Sequence, residues 1–229
     1  MKWTIILFLL LPTATFALQP EISASAEVAS HYVLEGRDLL EGDGLVSVTG
    51  SASLGKAALE LWLGQSPSQH YQELNAILSS TFDWGPLALT PSFNHLRFAP
   101  GESFDNELGL GTTLLLPHAL ELSVDVYYGV QSEGYFMVGS LLRPWPVHDC
   151  LTLIPQIELG GNQGFVSDGH DGLNHLSCSL TAEIALNEHC FVYASIAHTW
   201  GIDSQPLHHP GDASLRDFAY ASIGITFEV

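Results

Sequence analysis

Apolar and polar residues alternate strictly along most of this chain. Between His118 and Val130, Leu120, Leu122, Val124, Val126, Tyr128 and Val130 fall on one face, and Glu121, Ser123, Asp125, Tyr127 and Gly129 on the other. A period of two over this length defines a strand with one apolar and one wet face, and does not fit a helix. The pattern returns with Leu176, Cys178, Leu180, Ala182, Ile184 and Leu186 against Ser177, Ser179, Thr181 and Glu183. It returns again with Ala219, Ala221, Ile223, Ile225, Phe227 and Val229 against Tyr220, Ser222, Gly224 and Thr226. Runs of this kind cover residues 21–34, 44–54, 57–64, 70–83, 87–97, 105–116, 118–130, 133–143, 149–160, 174–186, 189–200 and 217–229. Each is near the ~10 residues that a tilted transmembrane strand needs. Pro155 sits inside one run and has no N–H to give to a ladder, which predicts a bulge or local break there.

The connections segregate by length. Those at one end are short and built from Gly, Pro and Asn: around Gly55, Trp84–Pro86, Pro117, Pro144–His148 and Asn187–Glu188. Those at the other end are mostly longer and rich in acids and histidines: Glu35–Asp43, Gln65–Gln69, Phe98–Phe104, Gln131–Ser132, Gly161–Leu173 and Gly201–Arg216. Short turns alternating with long polar loops, on an even number of strands, predict an all-β fold: an antiparallel transmembrane β-barrel of about 12 strands, with short periplasmic turns and longer extracellular loops.

Met1–Lys2, the apolar run Trp3–Leu11 and the small-residue stretch ending at Ala17 have the layout of a secretory signal peptide. The expected division is a cleaved Sec-type signal over residues 1–17 and a single barrel domain over 18–229. No later run is long enough for a spanning helix. The destination expected is a bacterial outer membrane.

Composition sharpens the class. The chain carries 25 acidic against 6 basic residues, a formal charge of -19, so nucleic acid is excluded as a partner. Yet only 14% of residues are charged and 46% are hydrophobic, and mean hydropathy is +0.21. An exported soluble protein covers itself with charge, whereas this balance belongs to a surface that faces lipid. Cys150, Cys178 and Cys190 are too few and too irregularly spaced for a disulfide framework.

With the apolar face toward lipid, the alternate positions line the interior. Glu27, Glu60, Glu73, Glu107, Glu121, Asp125, Glu158 and Glu183 fall there, with Asn75 and many small polar residues. An acidic lumen attracts cations and repels anions. Alternatively these acids bond one another, the few arginines and water in a narrow or plugged interior. Trp62, Phe82, Trp84, Tyr127, Tyr128, Phe136, Trp145, Phe191 and Tyr193 lie toward strand ends, where interfacial girdles are expected.

Ser30–Arg37, reading SHYVLEGR, resembles the first-strand signature of the TorF-type porin family of small exported bacterial proteins, and Phe104–Leu108, reading FDNEL, is similar to that family's acidic segment. His31 stands where the family has Asp, and the Arg and Gly are displaced. The resemblance implies a small outer-membrane channel and transfers no functional residue.

Two sharper chemistries compete with the channel. His175 and Ser177 share a strand face, but it is the wet one, away from any acyl chain; Ser195 and His198 differ by an odd step and face opposite ways. Lipid-modifying catalysis therefore ranks last. Asp168, His170, Asp171 and His175 in one loop, with His208, His209 and Asp212 in the next, are residue types that suit a divalent metal. The plainer expectation is a solvated loop, with no resident cofactor beyond a divalent cation at the extracellular loops. The function expected is passive diffusion of small cationic or neutral solutes. The alternative is a non-conducting structural or binding barrel whose loops take metal or a partner. Outer-membrane lipid, lipopolysaccharide and small solutes are the partners expected.

Overall fold

The computed structural model describes residues 20–101 and 103–229; the expected signal peptide lies outside them. The chain forms a closed 12-stranded antiparallel β-barrel, and the alternation seen in the sequence is what drives it. The strands are β1 (Glu21–Ala29), β2 (Leu45–Leu54), β3 (Ala57–Gln65), β4 (Gln72–Ser80, continued by Phe82–Trp84) and β5 (Leu87–Ala99). They continue as β6 (Ser103–Leu116), β7 (Leu120–Gly129), β8 (Gly134–Leu142, continued by Trp145–His148), β9 (Leu151–Gln163), β10 (Gly172–Asn187), β11 (Cys190–Gly201) and β12 (Phe218–Glu228). Each strand pairs with its sequence neighbours, and β1 pairs with β12 from Ser23↔Glu228 to Ala29↔Ser222, which closes the ring. Among the described residues, closure leaves no barrel strand with an open edge.

Burial is inverted relative to a water-soluble sandwich. Large apolar side chains point outward and stay exposed: Leu59, Leu61 and Leu63 on β3, Leu108 and Leu110 on β6, Ile157 and Leu159 on β9, Ile196 on β11 and Ile223 on β12. The buried set among the described residues is instead dominated by polar side chains, including Arg37, Asp38, Glu73, Asn174, His175, Thr199 and Asp212. An apolar belt around a polar interior is stable only with lipid on the outside. Among the described residues no helix is long and apolar enough to cross a membrane, and the barrel needs none.

Two expectations change in detail. The β9–β10 ladder continues through Pro155, which pairs with Leu180, and on the other side the Pro155 carbonyl accepts from the Arg143 N–H. Its missing donor faces the point where β8 is itself interrupted, between Leu142 and Trp145, so the expected local break falls in the β8–β9 pairing. The register shift in β9 lies instead at Gly160/Gly161. The first strand ends at Ala29 rather than continuing to residue 34; the chain turns inward there, and Val33–Leu34 pairs with Arg37–Asp38 as a separate small hairpin.

Candidate functional site

All eight predicted lumenal acids sit on barrel strands between outward apolar neighbours: Glu60 between Leu59 and Leu61, Glu121 and Asp125 beside Leu122 and Val124, Glu158 between Ile157 and Leu159. Glu27, Glu73, Glu107 and Glu183 follow the same rule beside Val28, Leu74, Leu108 and Ile184. The lumen is acidic on its walls from one end to the other.

The long-loop end is narrowed by the hairpin, whose residues the periodicity divides between the strand 21–34 and the loop Glu35–Asp43. Its turn is Glu35–Gly36, with φ of 53° and 71°. Two positive values are what a two-residue type I′ turn demands, and a left-handed Glu costs roughly 1–2 kcal/mol. Gly36 is required for a second reason: a Cβ there would overlap the His175 ring. Tertiary bonds hold the turn in place. Arg37, 1% exposed, donates through Nη1 to Asn174 Oδ1 at 2.6 Å, through Nη2 to Asp212 Oδ1 at 3.1 Å and through Nε to the Gly211 carbonyl at 3.2 Å. The Asn174 amide N–H donates to the Glu35 carbonyl. Asp38 accepts from Arg216 Nη2 at 2.9 Å, and its own N–H donates to the Ser214 carbonyl.

Asp212 joins three segments. Besides Arg37 it accepts from His170 Nδ1 at 2.8 Å, from the His170 N–H at 3.3 Å and from the Gln205 N–H at 3.1 Å. Burial opposes its charge, but these hydrogen bonds and the neighbouring His170 hold its carboxyl below the usual carboxylate range. Glu35 shows the reverse balance. Burial pushes its carboxyl up to about 7, against the pull of Arg37, and repulsion from Glu107, Asp105 and Glu73 adds to the rise.

Below the tip lies a cavity of about 270 Å³. Glu35 enters it from above, and Glu73, Glu107 and Glu158 from the walls, with Asn75, Asn94, His175, Tyr127, Phe136 and Phe165 between them. Glu73 accepts from Tyr32 and Tyr71 hydroxyls, each at 2.5 Å, and from Asn75 Nδ2 at 2.7 Å. Glu107 accepts from Asn94 Nδ2 at 3.1 Å. His175 Nδ1 accepts from Asn174, so Nε2 carries the proton and donates to Glu158 Oε1 at 2.9 Å.

The candidate metal residues are not gathered. His170 and Asp212 meet, but as hydrogen-bond partners in the network above; His170 Nε2 lies 2.8 Å from the Leu173 carbonyl, so both ring nitrogens are already engaged. Asp171 caps the Gly164 N–H, Asp168 and His208 are exposed, and His209 touches His170 only edge-on. His175 is in the lumen wall. Among the described residues no three His, Cys, Asp or Glu side chains converge on a point that a metal could occupy. Nor do His175 and Ser177 pair: Ser177 bonds Thr199 at 2.7 Å, and His175 bonds Glu158. Ser195 bonds Thr181 inside while His198 packs at a tilt against Trp200, with ring centroids 4.4 Å apart.

The aromatics divide. Phe82, Trp84 and Trp145 are exposed near the short-turn end, where a girdle belongs. Trp62, Tyr127, Phe136 and Tyr193 turn inward instead: Trp62 stacks on Tyr32, Phe136 is 2% exposed, and Tyr193 donates to Glu27 at 2.9 Å. Their parity carried this information, since Trp62 stands two residues from Glu60 and Tyr127 two from Asp125.

No family model matches the chain, and no curated protein matches its sequence. Solved structures do match its fold. The KdgM porin superimposes with a TM-score of 0.61 at 10% identity, covering 90% of this chain and 98% of that one. The NanC porin gives 0.56 at 8% identity, covering 91% and 99%. A second KdgM structure, in complex with disordered oligogalacturonate, gives 0.60. The chain thus has the fold of the small 12-stranded outer-membrane porins.

Proposed function

We propose that this protein is a porin-like channel of a bacterial outer membrane that passes small cationic or neutral solutes by passive diffusion. The observation that carries the proposal is the charge balance inside the barrel. The one buried arginine among the described residues, Arg37, is spent on Asp212. Lys56, Arg97, Arg143 and Arg216 are exposed at or near strand ends. The wall acids therefore face the lumen without cationic partners, which favours cations over anions. Oligogalacturonate, a chain of carboxylates, is named with the KdgM porin; an acidic lumen would repel such a polymer here. The apolar belt supports a place among outer-membrane lipids with the long loops outward, where lipopolysaccharide surrounds them. The Ser30–Arg37 stretch, which resembles the TorF-type family, includes most of the hairpin that lies over the lumenal cavity.

A second reading is favoured by the same hairpin. Arg37 and Asp38, at 1% and 0% exposure, fill space that an open pore would leave to water, as a non-conducting binding barrel would. Planar-bilayer recording separates the two. A salt gradient is expected to give a reversal potential of cation-selective sign; anion preference, or absence of conductance from properly folded protein, would overturn the channel.

A further inference from the structure

The cavity beneath the hairpin tip has an unmet chemical demand. Asn75 and Asn94 both line it, and each gives its amide nitrogen to a carboxylate, Asn75 to Glu73 and Asn94 to Glu107. That fixes which way each amide faces, since a carboxylate takes the NH₂ side and not the oxygen. Both amide oxygens are thereby turned away, and both are buried with no hydrogen-bond partner. Asn94 is itself 8% exposed. A buried polar oxygen left unpaired costs about 1–3 kcal/mol, so two in one cavity call for an explanation.

The carboxylates beside them differ in availability. Glu73 is saturated by two tyrosines and Asn75, so it orients the amide. Glu107 and Glu158 each use one oxygen, on Asn94 and His175, and keep the other. Glu35 takes no side-chain hydrogen bond among the described residues, and its carboxyl is pushed up by burial among other acids. The unfilled positions are all acceptors: two amide oxygens and carboxylate oxygens arriving from the hairpin, β6 and β9. A ligand that satisfies them must bring several N–H donors and positive charge. A bare metal does not fit, since no three such side chains converge. Between the acceptors the walls are aromatic and aliphatic, with Tyr127, Phe136 and Phe165 among them; these suit hydrocarbon and ammonium together. The volume of about 270 Å³ limits the occupant to a small metabolite.

We propose that this cavity binds a small organic cation carrying two ammonium groups on a short aliphatic body. The site deepens the channel assignment by naming the class of solute selected, and it rests on that assignment only for the solute's route.

The test is calorimetric titration of the detergent-solubilised barrel with 1,4-diaminobutane, with 1,4-butanediol and Mg²⁺ as separate titrants, alongside bilayer recording with the diamine added. The diamine should bind with saturation, the diol should not, and Mg²⁺ should bind more weakly. Glu107→Gln should lower diamine affinity at least about tenfold, the loss of one charge-assisted bond, and Asn94→Leu, which removes an acceptor and the donor that holds Glu107, should lower it without removing any charge. Heat-modifiable migration confirms that each variant is folded, and Glu158→Gln replaces any that is not. No diamine binding by a folded, cation-selective barrel would overturn the site and leave the channel standing. Equal binding of diol and diamine, or tighter binding of Mg²⁺, would also overturn it. Saturable diamine binding without conductance would uphold the site and remove the channel.

Discussion

The two ends of the lumen carry the same kind of charge and treat it differently. At the long-loop end, Asp38, Glu73 and Asp212 are 0–1% exposed, and each accepts hydrogen bonds from named donors. At the short-turn end, Glu60, Glu121 and Glu183 are half-buried on the walls and take no side-chain hydrogen bond among the described residues. Acids at the first end hold protein to protein; acids at the second are left to water and ions. A carboxylate in a lumen is thus not by itself a selectivity group. What decides its role is whether a loop has come in to meet it.

The strongest way to break the contrast is to remove the acid on which the inner network converges. Asp212→Ala leaves Arg37 buried and unpaired, a loss of about 3–5 kcal/mol, larger than the hairpin can absorb in place. The hairpin is expected to leave the lumen, raising single-channel conductance and lowering the thermal midpoint; unchanged conductance would show that it does not narrow the path. Next in size is Gly160→Ala. A Cβ there would overlap the His175 ring, so overpacking of about 1–3 kcal/mol is expected, read as a lowered denaturation midpoint.

A pH dependence follows from Glu35. Its pKa is raised in the folded tip, so the docked hairpin holds a proton that a free loop would release. That contribution favours docking at low pH and is lost as pH rises through about 7. Cation selectivity and conductance should both grow across this interval, and Glu35→Gln should flatten the profile. Asp212 acts in the opposite sense, its pKa being lowered: its contribution is present at neutral pH and is lost as pH falls below the ordinary carboxylate range. The smallest effects belong to the short-turn end. Glu121→Gln and Glu183→Gln should change stability by no more than about 0.5 kcal/mol and shift the reversal potential slightly toward anions.

The same contrast explains what could be read from the chain. The strands were legible because each wall position has a local reason, lipid on one face and water on the other, repeated every second residue. The acids followed, and so did the inward placement of His175 and Ser177. Neither the hairpin nor its bonds follow from periodicity. Arg37 finds Asn174 and Asp212 across 137 and 175 residues, and no local pattern states such a partnership. The available sign was scarcity: a lone arginine after Glu35–Gly36, in a chain with 6 basic residues, had to be accounted for somewhere. The inward aromatics were legible by parity, and the expectation of a girdle overrode it. His170 and Asp212 show that loop histidines and acids serve structural hydrogen bonding as readily as metal binding, so residue type alone does not choose between the two.

The seam between β1 and β12 joins two segments that lie nearly the whole chain apart. No subset of consecutive strands can finish the wall, so the barrel has no stable half-built form with satisfied margins. Non-local pairing of this kind is slow, and until the last strand is delivered both margins present open backbone to any other extended chain. Exposure to mispairing before the seam forms is thus the counterpart of the same closure that later makes the wall tight.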